Sequence, residues 1–129
     1  MSKEKLEFIN EAEMDAAEKE AASMADFTSY THTFKQPFTC LIGTEERSFK
    51  TLTFDFAKLT GRDSLAIENE LQALGKPVIV AEMSGEYLIR MAARACTEKI
   101  SADDLEGAPL ADYNKIRSRA RSFMLRSVM

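Results

Sequence analysis

The sequence predicts an α+β fold: an N-terminal β-hairpin packed on a small cluster of about three helices, behind an acidic leader that is flexible or a single helix. Three observations predict it. Between residues 27 and 56 apolar side chains recur at every second position, the period of a half-buried strand. Across Leu52–Asp63 that period turns into a helical one within a dozen residues. Beyond it, helix-start and helix-stop residues punctuate the chain repeatedly.

The leader is assigned to residues 1–28 and the folded domain to residues 29–129. Residues 1–26 hold three lysines against eight acids, with no Gly or Pro. Leu6, Phe8, Ile9, Met14 and Met24 are too sparse there for a continuous stripe. Two readings follow, a solvated leader or an arm that orders on a partner.

The hairpin comes next. Tyr30, His32, Phe34, Phe38, Cys40 and Ile42 share one parity, and Thr31, Thr33 and Thr39 the other. Pro37 has no N–H to give a ladder, so it marks an edge or a break. Gly43-Thr44-Glu45-Glu46 is the predicted turn. Phe49 to Phe56 runs back with Leu52, Phe54 and Phe56 on one face. A two-stranded hairpin is marginal alone, so that aromatic face must lie on helices.

Thr60 with Asp63 three residues on matches a capping box. Ile67, Leu71 and Leu74 form a narrow apolar stripe behind it, opposite Arg62, Glu68, Asn69, Glu70 and Gln72. Gly75 and Pro77 stop this helix, and Val78-Ile79-Val80 is an apolar connector of unassigned state. A second helix runs from Ser84 to near Thr97. Tyr87, Leu88, Met91, Ala92, Ala95 and Cys96 cover a wide arc of it, leaving Glu86, Arg90, Arg94 and Thr97 a narrow remainder. So wide an arc predicts a helix packed on several sides, the core helix. Ser101 and Asp104 cap a short turn closed by Gly107. Pro109 suits the first position of the last helix. Leu110, Tyr113, Ile116, Ala120, Phe123 and Met124 make its inner face, and Lys115, Arg119 and Arg126 project together opposite. Arg117 falls among the apolar positions beside Tyr113 and is expected to pair with a neighbouring acid or to snorkel out.

Composition bounds the function classes. At 129 residues the chain holds one domain, and its 45% hydrophobic and 29% charged residues are ordinary for a globular protein. No apolar run approaches the ~18 residues of a membrane span. The acidic, polar start does not read as a signal peptide, so an intracellular protein is expected. Cys40 and Cys96 are too few to staple a secreted domain and are predicted as free thiols, buried or partly buried, with a single bridge left open.

His32 is the only histidine, and Cys40 eight residues on has no evident third partner for nucleophilic or metal chemistry. A structural role is the simpler reading. No CxxC, HExxH, GxSxG or GxxxxGK[ST] pattern occurs. Asp103, Asp104 and Glu106 sit where helix-start acids complement the macrodipole. The chain is therefore expected to be no enzyme, with no cofactor and no metal. Residues 113–129 carry five cations and no acid, which raises nucleic-acid binding through the last helix. The sequence pI of about 5.1 weighs against it.

From Thr33 to Arg126, about three quarters of the chain, the sequence resembles the tail assembly chaperones of long-tailed bacteriophages and related contractile elements. The resemblance rests on Pro37 in the first strand, the turn around Gly43 and the returning Thr51-Leu52-Thr53-Phe54. It continues through the Leu59-Thr60-Gly61-Arg62-Asp63 helix entry and Gly85-Glu86-Tyr87-Leu88-Ile89-Arg90-Met91-Ala92-Ala93. Leu110-Ala111-Asp112-Tyr113-Asn114-Lys115-Ile116 completes it. The resemblance implies a non-enzymatic role in the host bacterial cytoplasm. Such chaperones bind the tape measure protein, keep it soluble, recruit tail tube protein around it and are absent from the finished virion. Many also occur as a longer frameshifted form.

A holdase needs apolar surface with adaptable side chains, and methionine supplies them; the chain has seven. The partner-binding candidates are Tyr87, Met91, Tyr113, Phe123 and Met124, in a groove between helices 84–97 and 109–126 that would take a partner helix. Plain core is the competing reading of these side chains. The alternative functions are a small phage nucleic-acid-binding or regulatory protein using the basic C-terminal helix, and a structural subunit retained in the particle. Oligomeric state is left open.

Overall fold

The alternating parity of residues 30–42 becomes strand β1, Ser29–Ile42, paired antiparallel with β2, Glu45–Asp55. The loop is two residues, Gly43 and Thr44, with Gly43 at φ +67°. So tight a hairpin loop needs positive φ at its first position, which glycine supplies without steric cost. Glu45 and Glu46, expected in the turn, instead open β2. The computed structural model describes residues 27–128, so the expected leader lies almost wholly outside the described residues.

Pro37 does mark a break. Thr33 pairs with Thr51 and Phe38 with Phe49, so four residues of β1 face the single Lys50 of β2. The bulge keeps His32, Phe34 and Phe38 on the buried face while Lys35, Gln36 and Pro37 stay exposed. On β2, Leu52 and Phe54 are fully buried, and Phe56 follows in a 3₁₀ turn, Phe56–Lys58. The outer edge of β2 is covered where the Thr97 N–H donates to the Thr53 carbonyl at 2.8 Å and the Thr53 N–H to Glu98 at 2.9 Å.

Four helices follow: α1 (Gly61–Ala73), α2 (Gly85–Ala95), α3 (Ala102–Glu106) and α4 (Leu110–Ser127). Their starts are the predicted ones. Asp63 reaches back to accept the Thr60 N–H at 2.8 Å, the Ser84 hydroxyl accepts the Tyr87 N–H, and the Ser101 hydroxyl accepts the Asp104 N–H. Pro109 is the cap residue of α4, one position before its first turn. Gly75, at φ +75°, ends α1 and lets the Lys76 N–H reach the Leu71 carbonyl at 2.8 Å.

The core helix is α2, which touches β2, α1, α3, α4 and both 3₁₀ turns (the second is Ala81–Met83). Tyr87, Leu88, Ile89, Met91, Ala92, Ala95 and Cys96 are all buried. Around it lie Ile67 and Leu71 of α1, Ile100, Leu105 of α3, and Ile116 and Ala120 of α4. Two predicted stripe residues are not in that core. Leu74, the residue that caps the end of α1, is 58% exposed and Leu110, the first residue of α4, is 71% exposed. A row of rings ties the hairpin to the last helix: Tyr30 on Phe54, Phe54 on Phe56, and Phe56 on Phe123 at 5.3 Å between centroids.

Candidate functional site

The inner face of α4, the start of α1 and one face of α2 meet at one point. Met91 and Tyr87 come from α2, Phe123, Met124 and Ser127 from α4, and Thr60, Asp63, Ser64 and Ile67 from α1 and its cap; Leu59 closes the ring. Together they line a cavity of about 230 Å³. Tyr87 and Met91 are buried and form its floor, while Phe123 and Met124 are half-buried at its lip. Its polar groups already have partners. The Ser64 and Tyr87 hydroxyls bond at 2.6 Å, Asp63 takes Thr60 and Arg94, and the Ser127 hydroxyl donates to the Met124 carbonyl. What remains open to an occupant is mainly apolar.

Four of the five predicted partner-binding residues, Tyr87, Met91, Phe123 and Met124, thus share one site. Tyr113 does not join them. It lies in the first turn of α4 in a separate recess with Glu106, Ala108 and Leu110, and Arg117 covers its ring at 5.3 Å. The expected groove between the two helices is, among the described residues, a compact cavity at one end of their contact. Helices α2 and α4 pack directly on each other, and Ile116 and Ala120 are sealed in that contact. A helix laid in a groove needs anchors over two turns. This cavity admits one large side chain.

Arg117 takes the snorkelling course. Its guanidinium lies against Gly85, where a Cβ would stand 2.7 Å from Nη1, and it donates to Asn114. The expected basic face is dispersed as well. Arg119 sits over the Tyr30 ring at 4.7 Å, and Arg121 donates to the Glu82 carbonyl at 3.0 Å; Lys115 is exposed. Arg119 therefore faces the hairpin instead of standing beside Lys115 in solvent.

His32 has a partner that the sequence did not reveal. Its Nδ1 meets the Tyr30 hydroxyl at 2.7 Å and its Nε2 meets Asp112 Oδ1 at 2.7 Å, eighty residues along the chain. The imidazole is 2% exposed and Phe34 stands edge-on to it at 4.7 Å. Burial raises the Tyr30 phenol, opposed by Arg119 and helped by Asp112, so the phenol stays neutral. Tyr, His and Asp in a row resemble an acid–base relay, but this one is closed over by rings. It fastens β1 to the first turn of α4. Its only foreshadowing is a lone His on an apolar strand, which must find a polar partner when buried.

Another opening, of about 500 Å³, lies between α1, α2 and the start of α3. Lys58, Arg90, Arg94 and Lys99 line it around Glu70. Its arginines are already matched: Arg94 to Asp63 at 2.9 Å and Glu70 at 3.3 Å, Arg90 to Glu86 at 2.9 Å. Cys96 on its wall is a free thiol that burial pushes up, so it stays protonated and unreactive; Cys40 is free and raised by burial too.

The most exposed apolar stretch is the connector between α1 and α2. Val78 and Ala81 turn inward, while Ile79 is 93% and Met83 71% exposed, with Val80 between them partly out. Arg121 holds this segment to α4 one turn before Met124 enters the cavity. Among the described residues, no helix is long and apolar enough to cross a membrane. No family model, no curated protein and no solved structure matches the chain.

Proposed function

We propose that this chain is a tail assembly chaperone that binds the tape measure protein in the host bacterial cytoplasm, keeps it soluble and promotes tail tube assembly. The observation that carries the reading is the exposed apolar connector. Ile79, Val80 and Met83 are exposed within one five-residue segment and line a recess of about 290 Å³ with Pro77, Val78 and Ser84. Contiguous exposed apolar side chains mark protein-binding surfaces. A tape measure protein is long, helical and apolar, and aggregates when uncovered. The resemblance over residues 33–126 supplies the identity of that partner, and tail tube protein would join through a longer frameshifted form. The nucleic-acid alternative draws less support, because Arg119 and Arg121 are engaged within the molecule.

The test is co-expression with the tape measure protein of the same genome, with wild type and with an Ile79→Asp/Met83→Asp variant. Both positions are exposed, so the variant keeps the wild-type melting temperature. Wild type should hold the tape measure in solution and co-purify with it, and the variant should lose most of that. Equal retention by both proteins would sink the assignment of the surface. An insoluble tape measure with every version, the longer form included, would sink the chaperone reading. Salt-sensitive retention on nucleic acid would then move weight to the alternative.

A further inference from the structure

The opening between α1, α2 and the start of α3 has no part in client binding as proposed. Its volume, about 500 Å³, falls within the range of small-molecule sites. Four cations line it: Lys58 from the 3₁₀ turn after β2, Arg90 and Arg94 from α2, and Lys99 from the loop before α3. They fall into two pairs. The arginines belong to a ladder of ion pairs that runs Lys76–Glu86–Arg90–Glu70–Arg94–Asp63 across α1 and α2. Its cations and acids alternate and cancel. Lys58 and Lys99 are exposed and make no ion pair among the described residues. The opening is thus left with two uncompensated positive charges.

Lys99 holds its place in an uncommon conformation. Its φ is +60°, the left-handed region that residues other than glycine rarely adopt. The acid next to it does not offset its charge at the opening, because the Glu98 carboxylate accepts the Thr53 N–H of β2. The Ser101 hydroxyl on the wall is engaged by Asp104. The rest of the lining is apolar: Ala93, Cys96, Ile100 and Ala102, of which Cys96 and Ile100 are buried.

The ligand chemistry follows from these groups. A phosphate monoester carries about −1.5 to −2 charges at pH 7, which two lysines balance. An apolar floor beside the charges accepts the body that the phosphate is joined to. A nucleic-acid backbone would call for a stripe of cations instead of one opening. We infer that this opening binds a small phosphomonoester, with the phosphate between Lys58 and Lys99 and an apolar or aromatic body on the Ala93–Cys96–Ile100 floor. The site does not depend on the chaperone reading, and Ile79 and Met83 do not line it.

The test follows the backbone amides of the full-length protein by NMR while phenyl phosphate or inorganic phosphate is added at constant pH and ionic strength. Saturable shifts should centre on Lys58, Lys99 and Ser101, and phenyl phosphate should bind several-fold tighter than inorganic phosphate. Lys58→Gln/Lys99→Asn changes only exposed side chains, and asparagine tolerates the left-handed backbone at 99. This variant should keep the rest of the spectrum and bind phenyl phosphate about ten-fold more weakly, the loss of charged hydrogen bonds. Ile79→Asp/Met83→Asp should bind it as wild type does, whatever becomes of the client. The inference is overturned if the shifts do not saturate, or if Lys58→Gln/Lys99→Asn binds as tightly as wild type. Equal affinity for the two phosphates would overturn the seating of an apolar body on the floor. A single-stranded oligonucleotide that binds there more tightly than phenyl phosphate, with a steep salt dependence, would overturn the small ligand in favour of nucleic acid.

Discussion

Helix α2 and the connector before it are equally apolar in sequence and opposite in fate. In α2 the interior backbone groups bond within the helix and the Ser84 hydroxyl accepts the Tyr87 N–H, so Leu88, Ile89 and Ala92 can be buried without stranding a polar atom. Val78-Ile79-Val80 lies between a left-handed Gly75, a Pro77 without an N–H and a 3₁₀ turn. Its backbone has no ladder to close into, so it runs over the surface and carries Ile79 out with it. Apolar content thus decides burial only where secondary structure first satisfies the backbone. An apolar stretch that lacks such structure is the part left available to a partner.

The sharpest way to break this comparison is a pair of truncations. Leu88→Ala should cost about 2–5 kcal/mol in urea unfolding, the loss of a buried leucine and the cavity left behind. Ile79→Ala should stay within ~0.5 kcal/mol of wild type. A cost at Ile79 near that at Leu88 would mean that the connector is part of the core.

A smaller effect is expected at the buried polar tie. Asp112→Ala leaves His32 with an unpaired ring nitrogen in the interior and should cost about 1–3 kcal/mol. It should leave the proposed client binding at Ile79 and Met83 unchanged, since the tie fastens the opposite end of α4. Loss of client solubility in a still-folded Asp112→Ala protein would show that the two ends are coupled.

The smallest effect concerns the exposed carboxylates that frame α1 and α2. The Thr60 N–H, and then Arg94, hold Asp63 below the ordinary carboxylate range. Lys76, and then Arg90, do the same for Glu86. Both groups bind their protons more weakly folded than unfolded. Their contribution is complete above the unfolded values, near 4, and fades as pH falls through the lower folded values. Melting temperature should therefore drop between about pH 4 and pH 2, and the drop should be shallower in Asp63→Asn. Solvent screens both groups, so the change amounts to a few tenths to about 1 kcal/mol. A melting temperature that is flat over that range would dismiss these pairs as contributors.

What was legible in the sequence was local. The parity of Tyr30 to Ile42, the capping residues Thr60, Ser84 and Ser101, and the stop at Gly75 depend on neighbours within a few residues. They report the hairpin and the helix starts directly. The errors sit where distant elements decide. Leu74 and Leu110 obey the helical period but stand exposed at the ends of their helices. Arg119 looks solvated on a wheel until Tyr30 arrives from the hairpin, and Asp112 reads as an ordinary helix-start acid until His32 is placed beside it. In the candidate site, the same inner face of α4 carries Tyr113, Phe123 and Met124. Ten residues of helix rise separate the first from the others by about 15 Å, so one face serves two different recesses.

The bulge around Pro37 has a bearing on assembly. A two-stranded sheet has two open edges, and an open edge is a template on which further copies add strand by strand. Here β1 interrupts its own ladder with four residues, one of them unable to donate, and β2 gives part of its outer edge to Thr97 and Glu98. Neither rim offers an unbroken row of backbone groups. A protein that exposes Ile79 and Met83 can in this way meet a partner through side chains, without being drawn into a fibril of its own.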